Sequence, residues 1–446
     1  MKPSYPTGSE AAAAAEAFLN ERSLGIESSA ILRIAWQVRG LKAAGESIFD
    51  LTLGDFDPAQ FPPPPSLVSG ISEALAAGRS NYPPADGIAP LRQAIVDFYQ
   101  RRLGLSFPAE SILVGSGARP LIYSFYASTL EPGDQLLYAA PSWNNEHYAY
   151  LMGSEAVVLE TRAESSFLPT LEAIEPHLGS ARVLHLNNPL NPTGTMMAAD
   201  ELRAICQAVV AENRRREAGG GGKALLLLYD MVYWPLVYGD SEFHHPVSLV
   251  PEIAPYVVSI DAVSKWMAAT GLRVGWAVVP PHAHGKIKAL CSHMGSWAPH
   301  PEQHAVAAVL SSDPGFDDYV ATLRDRLEER LLVVSRAFEA LAGRGFDVEA
   351  IQPQGALYLS VRLGLVGRST PAGTVLENSE QVRQYLLHEG HVGLIPFSAF
   401  GASAEDGWYR VAVAALTVAE LEQAMLALAA AVEATRSSAE SSAAAP

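Results

Sequence analysis

A lysine and an arginine eight residues apart, Lys265 and Arg273, are the residues of this chain best spaced for chemistry. The stretch Ser264-Lys265-Trp266-Met267-Ala268-Ala269-Thr270-Gly271-Leu272-Arg273 follows an apolar, strand-like run over Tyr256 to Ile260. A lysine at a strand end can lose solvent, lower its pKa and become a free amine able to form a Schiff base with an aldehyde cofactor. The arginine, returned by a glycine turn, carries the planar fork that grips a phosphate bidentately. An isolated match to such a pattern is usually a surface loop. Here companion segments in a consistent order weigh against that reading.

Gly115-Ser116-Gly117-Ala118-Arg119 stands between a strand and a helix, where glycines let backbone amides and a helix N-terminus approach a phosphate. Pro141-Ser142-Trp143 follows another apolar run; the tryptophan is either an ordinary core ring or a plate that stacks on a planar heteroaromatic. Asn188-Pro189-Leu190-Asn191-Pro192-Thr193-Gly194 is an irregular loop whose prolines hold an asparagine amide in one orientation. Asp230 and Tyr233 end the run Ala224–Tyr229, and a carboxylate there can keep a pyridine nitrogen protonated. Tyr409-Arg410-Val411 puts an arginine fork on a short strand, suited to a carboxylate.

In this combination the chain resembles fold-type I, pyridoxal-phosphate-dependent aminotransferases of the class I/II family, bacterial aspartate-type enzymes among them, over roughly residues 25 to 430. The resemblance implies pyridoxal 5'-phosphate as cofactor, with Lys265 as the Schiff-base lysine and Asp230 as the partner of the ring nitrogen. It implies Asn191 and Tyr233 on the ring oxygen, and Trp143 as the stacking ring. Arg273, Ser264 and the Gly117-Ala118-Arg119 turn match the phosphate cup. Arg410 matches the residue that binds the substrate α-carboxylate, Gly54 a backbone contact beside it, and Tyr82 the tyrosine that reaches the neighbouring subunit's phosphate. The implied substrates are an L-amino acid and a 2-oxo acid, and the implied unit is a homodimer with shared sites. Arg119 leaves two readings open: a contact to the phosphate or solvent, or a partner for the distal carboxylate of aspartate or glutamate. Trp297 offers a third, an aromatic pocket. Met231 replaces an expected acidic residue, and Ala262 a serine that would supply a hydroxyl to the phosphate. A PLP-dependent lyase or oxidase on the same scaffold, and a non-catalytic PLP-binding regulatory module, are the rival functions.

These residues need a scaffold, and the apolar runs supply one. Ile112–Val114, Gln135–Ala139, Val183–Leu186, Ala224–Tyr229 and Val257–Ile260 read as strands, alternating with helical patterns such as Leu121–Thr129 and Ala199–Arg216. Such alternation predicts an α/β fold, a three-layer αβα domain with a mostly parallel sheet. From about Pro314 a long amphipathic helix (Tyr319 to Gly343), short strands at Phe346–Ile351, Leu357–Arg362 and Trp408–Ala412, and a closing helix (Ala419 to Ala434) predict a smaller α/β domain. Pro62 to Pro65 reads as a polyproline connector at a domain boundary. The expected division is 1–60 as N-terminal arm and part of the small domain, 61–313 as the PLP-binding domain, 314–434 as the C-terminal domain and 435–446 as a disordered tail. Residues 1–20 are expected to be frayed.

With 446 residues, 49% hydrophobic and 18% charged, the chain suits a packed two-domain protein. A net charge of −17 argues against nucleic-acid or anionic-membrane partners. Cys206 and Cys291 cannot make a disulfide framework, and no export signal or membrane-length apolar run is evident, so a cytoplasmic location is expected. No metal is expected at the site.

Overall fold

The computed structural model describes residues 9–312, 314–403 and 406–436. A two-residue strand, β1 (Phe49–Asp50), precedes the central sheet, which is built from β2 (Ile112–Gly115), β3 (Gln135–Ala140), β4 (Glu155–Glu160), β5 (Ala181–Asn187), β6 (Leu226–Asp230), β7 (Val257–Ala262) and β8 (Gly275–Val278). The order across the sheet is β2-β8-β7-β6-β5-β3-β4. β8 runs antiparallel to both its neighbours, β2 and β7, and the remaining pairs are parallel. Every residue of β7 is buried, so both faces of the sheet are covered there. Leu-Leu-Leu-Tyr lacks polar alternation because β6 is the middle strand and has no solvent face to serve.

The second sheet is antiparallel, in the order β12-β13-β10-β9, from β9 (Val348–Ala350), β10 (Tyr358–Leu363), β12 (Ile395–Pro396) and β13 (Trp408–Ala412). β1 pairs in parallel with β11 (Val392–Gly393), which joins the first fifty residues to the C-terminal part of the chain. The helix Phe316–Gly343 packs on the closing helix Val418–Ala434, which begins with a capping box between Thr417 and Glu420.

Several expectations need correction. β4 and β8 carry no strong strand signal: the exposed, glutamate-flanked edge strand β4 and the four-residue Gly-Trp-Ala-Val are too short or too polar. Pro65 opens the helix Pro65–Ala76, and Pro64 caps it, because the first turn of a helix needs no amide from a proline. Residues Ser9–Phe18 are helical. The packed chain does not stop at Ala434. Thr435 accepts a hydrogen bond from Arg368 Nε at 2.7 Å, and Arg436 exchanges backbone hydrogen bonds with Ser369 at 2.9 Å. Residues 1–8 and 437–446, on which the rest of the terminal expectation falls, lie outside the described residues.

Candidate active site

The C-terminal ends of the parallel strands face one cavity of about 390 Å³, the usual place for a ligand in an open α/β sheet. Asp230 is the last residue of β6; Lys265 lies in the short helix Val263–Trp266 directly after β7; Asn191 follows β5, and Trp143 follows β3. All four line the cavity, as do Gly54, Ala118, Arg119, Tyr233, Ser264, Arg273 and Arg410.

Lys265 Nζ donates to the carbonyl of Gly54 at 2.6 Å and sits 5.8 Å from the centre of the Tyr233 ring. Among the described residues no carboxylate lies within ion-pair distance of it. Asp230 accepts one backbone hydrogen bond, from Val232 at 3.2 Å, and is otherwise desolvated. Burial pushes its carboxyl up to about 6, against the pull of that hydrogen bond and of Lys265. A carboxylate left with so few partners is a site for a cation or a protonated ring nitrogen. His185, unforeseen in the sequence, also lines the cavity; it holds its Nδ1 2.6 Å from Tyr126 Oη, and burial drives its pKa down to about 4. Tyr148, also unforeseen, lines the same wall, with its hydroxyl raised to about 12 chiefly by burial.

Arg410 comes from β13 and is 1% exposed. Its guanidinium lies 4.6 Å from the Tyr358 ring centre and 4.8 Å from that of Phe400. Nη1 donates to Asn191 Oδ1 at 3.1 Å and Nη2 to the Thr52 carbonyl at 2.5 Å, while Nε is buried without a partner. Desolvation lowers its pKa; nearby Tyr358, Tyr233 and Asp50 oppose the shift. Asn191 Nδ2 stands 3.5 Å from Tyr233 Oη, which is 3.0 Å from Tyr358 Oη. Tyr358 went unforeseen because a tyrosine in an alternating strand reads as core. Its place is marked by Gly54, where a Cβ would stand 2.2 Å from the Tyr358 hydroxyl.

A second group of cations lines the cavity around the turn at residues 115–118. Gly117, at φ +85°, turns the chain into the helix Ala118–Thr129, whose first amides lack intrahelical partners. Arg273 lies across this turn, donating through Nη1 to the Thr270 carbonyl at 2.7 Å and through Nη2 to the Ser116 carbonyl at 3.2 Å. Its pKa falls through burial and the repulsion of Arg119. A Cβ at Gly117 would sit 2.3 Å from Arg273 Nη2. The Arg119 guanidinium stacks 4.9 Å from the Trp143 ring centre.

Tyr82 is 81% exposed and meets Trp297 edge-on at 5.0 Å, and neither lines the cavity of its own chain. Met231 is buried, and Ala262 lines the cavity without a hydroxyl to offer.

The family described as aminotransferase class I and II matches residues 46–428, most of the chain. The chain belongs to this family. An aspartate aminotransferase of Rhizobium meliloti (strain 1021) is 28% identical over 92% of this chain and 95% of its own length. An aspartate/prephenate aminotransferase of Cereibacter sphaeroides is 28% identical over 87% of this chain and 92% of its own. The crystal structure of the aspartate aminotransferase from Rhizobium meliloti superposes with a TM-score of 0.85 at 26% identity, covering 94% of this chain and 99% of that one. As a class I/II aminotransferase of fold type I, this enzyme uses pyridoxal 5'-phosphate to move an amino group between an L-amino acid and a 2-oxo acid.

The cavity fits that cofactor. It offers a group of cations beside a helix N-terminus and a half-buried carboxylate with one backbone hydrogen bond. Between them lie an amine, an amide and a phenol, and no metal-binding cluster occurs among the described residues. No helix of the described residues is long and apolar enough to cross a membrane.

Proposed function

We propose that this aminotransferase takes a dicarboxylic amino acid, aspartate or glutamate, and that its side chains divide the work as follows. Arg273, Ser264 and the first amides of the helix Ala118–Thr129 would hold the cofactor phosphate, Trp143 one face of the ring, Asn191 and Tyr233 the ring oxygen, and Asp230 the ring nitrogen. Bound there, pyridoxal phosphate supplies an aldehyde carbon and an electron-withdrawing ring. Asp230, ionised at neutral pH, keeps the ring nitrogen protonated. Lys265 Nζ is the base that takes the proton from the substrate Cα and later returns it. The Gly54 carbonyl, 2.6 Å from Nζ, anchors the amine between these tasks.

Arg410 is the receptor for the α-carboxylate. It is a buried cation between two aromatic faces, with Nε unpartnered, and among the described residues no carboxylate forms an ion pair with it. That one observation carries the amino-acid reading of the site. The distal carboxylate falls to Arg119, which lines the same cavity over Trp143. The aspartate-directed names of the relatives support the assignment. Kinetics across aspartate, glutamate, phenylalanine, alanine and lysine test it; a clear preference for a neutral or basic side chain removes the dicarboxylate reading.

The same reading extends to a homodimer in the cytoplasm, with Tyr82 serving the partner's phosphate. It also divides the chain into an arm to residue 60, a cofactor domain to 313 and a small domain to 434. The high exposure of Tyr82 supports a role outside its own chain.

A further inference from the structure

The pairing of β6 with β7 ends at Asp230 and Ile260, and the last hydrogen bond between their continuations runs from Met231 N to the Ile260 carbonyl at 2.9 Å. Beyond that point β6 leads into one short turn, and β7, after Asp261 and Ala262 have paired with β8, leads into another. One turn carries Tyr233 and ends in Trp234, whose amide bonds back to Met231; the other carries Lys265 and ends in Trp266, within a helix of four residues. Backbone bonding this sparse does not by itself fix one turn against the other.

Both indoles aim at one carboxylate. Asp261, 0% exposed, accepts from Trp234 Nε1 at 2.8 Å and Tyr99 Oη at 2.9 Å on Oδ2, and from Trp266 Nε1 at 3.0 Å and the Ala262 amide at 2.7 Å on Oδ1. Tyr99 Oη itself accepts from Trp276 Nε1 at 2.7 Å, so its own proton is directed to Asp261. Every partner is a donor, which is the environment of an ionised carboxylate. Burial raises its pKa to about 7, while these same hydrogen bonds oppose the rise. The indole rings of Trp234 and Trp266 are 6.3 Å apart, and Asp261 closes the gap between their N–H groups.

We propose that Asp261 is a positioning residue for transamination: it locks the turn bearing Tyr233 against the turn bearing Lys265, and so sets where the amine stands over the reacting carbon. It does not line the cavity. The inference rests on the reading of Lys265 as the cofactor-bearing residue.

Asp261→Asn tests it with nearly constant shape. An amide in either orientation puts an NH2 group against two donors that must now face it unpaired. Trp234→Phe and Trp266→Phe remove one N–H each and keep a ring, so they carry the test if the asparagine variant does not fold. Cofactor content, borohydride trapping at Lys265 and steady-state kinetics are read on each holoenzyme. The expected result is a fall in kcat of roughly 10- to 100-fold, as for misplacement of a reacting group by about 1 Å, at near-constant KM because Arg410 is untouched. A shifted visible band in the resting enzyme should accompany it. A loss of thermal stability with unchanged kcat per loaded site and an unchanged band in all folded variants would overturn the proposal. If instead wild-type enzyme traps no cofactor at Lys265, the underlying reading fails, and the two failures are distinguishable.

Discussion

Asp230 shows how a single residue carries information about its missing partner. Its folded-state pKa, raised from 3.8 to about 6 mainly by burial, means that the cofactor-free protein holds this carboxyl more easily as the neutral acid. The contribution to stability is therefore fully present below pH 3.8 and is lost as pH rises through about 6. At neutral pH the ionised group costs the cofactor-free fold roughly 3 kcal/mol, an order-of-magnitude figure. Asp230→Asn should then raise the melting temperature of cofactor-free protein above pH 6, lose that advantage near pH 4, and still depress turnover severely. Calorimetry at the two pH values checks the sign. Lys265→Ala should abolish turnover and borohydride-trappable cofactor together; full transamination by that variant would remove the lysine from its assigned role. Arg410→Lys keeps charge and loses the fork. KM for the amino acid should rise about 10- to 100-fold, matching the roughly 1.5 to 3 kcal/mol of a hydrogen bond to a charged group. A KM within twofold of wild type would show that the carboxylate binds elsewhere.

At the scale of elements, the phosphate cup depends on close backbone approach. Gly275, the first residue of β8, stands where a Cβ would be 2.7 Å from the Gly117 carbonyl carbon and 2.9 Å from the Ala118 amide nitrogen. Gly275→Ala must push the strand and the turn apart, at a cost of about 1 to 3 kcal/mol as in other overpacked sites. Weaker cofactor retention should follow, because Ala118 opens the helix that lines the cup; cofactor titration followed by absorbance measures it. The parts of this arrangement that were legible in the sequence are local. Lys265 after an apolar run, Asn191 between prolines and Asp230 at the end of Leu-Leu-Leu-Tyr announce themselves by neighbours in the chain. What was not legible depends on distant packing. Tyr358 looks like any strand aromatic until Gly54, more than three hundred residues earlier, makes room for its hydroxyl. His185 is hidden in a buried strand, and only the folded sheet shows that it lines the cavity. β4 escaped because an edge strand can be mostly exposed, so its pattern is not that of a core strand.

For the whole molecule, the proposed homodimer can be tested directly. If it forms and Tyr82 serves the partner's phosphate, Tyr82→Ala and Lys265→Ala homodimers should each be impaired at both sites. If Tyr82 acts on the partner's cofactor, a mixed dimer holds one site with both defects and one with neither, and activity returns. No recovery on mixing, with subunit exchange demonstrated, or a monomer by light scattering, would count against the shared site.

The pairing of Phe49 with Val392 and of Asp50 with Gly393 has a consequence for biosynthesis. During translation β1 is made long before its partner, and at about 5 to 20 residues per second it waits of the order of tens of seconds. Val38, Ile48 and Leu51, all buried in the finished protein, have no complete cover until then. The same delay separates the two partners of one hydrogen bond in the site: the Thr52 carbonyl exists early, but Arg410, which donates to it, is among the last parts of the site to emerge. Nascent chains stopped before Val392 should accordingly be cut by protease near β1, whereas released full-length chains should resist.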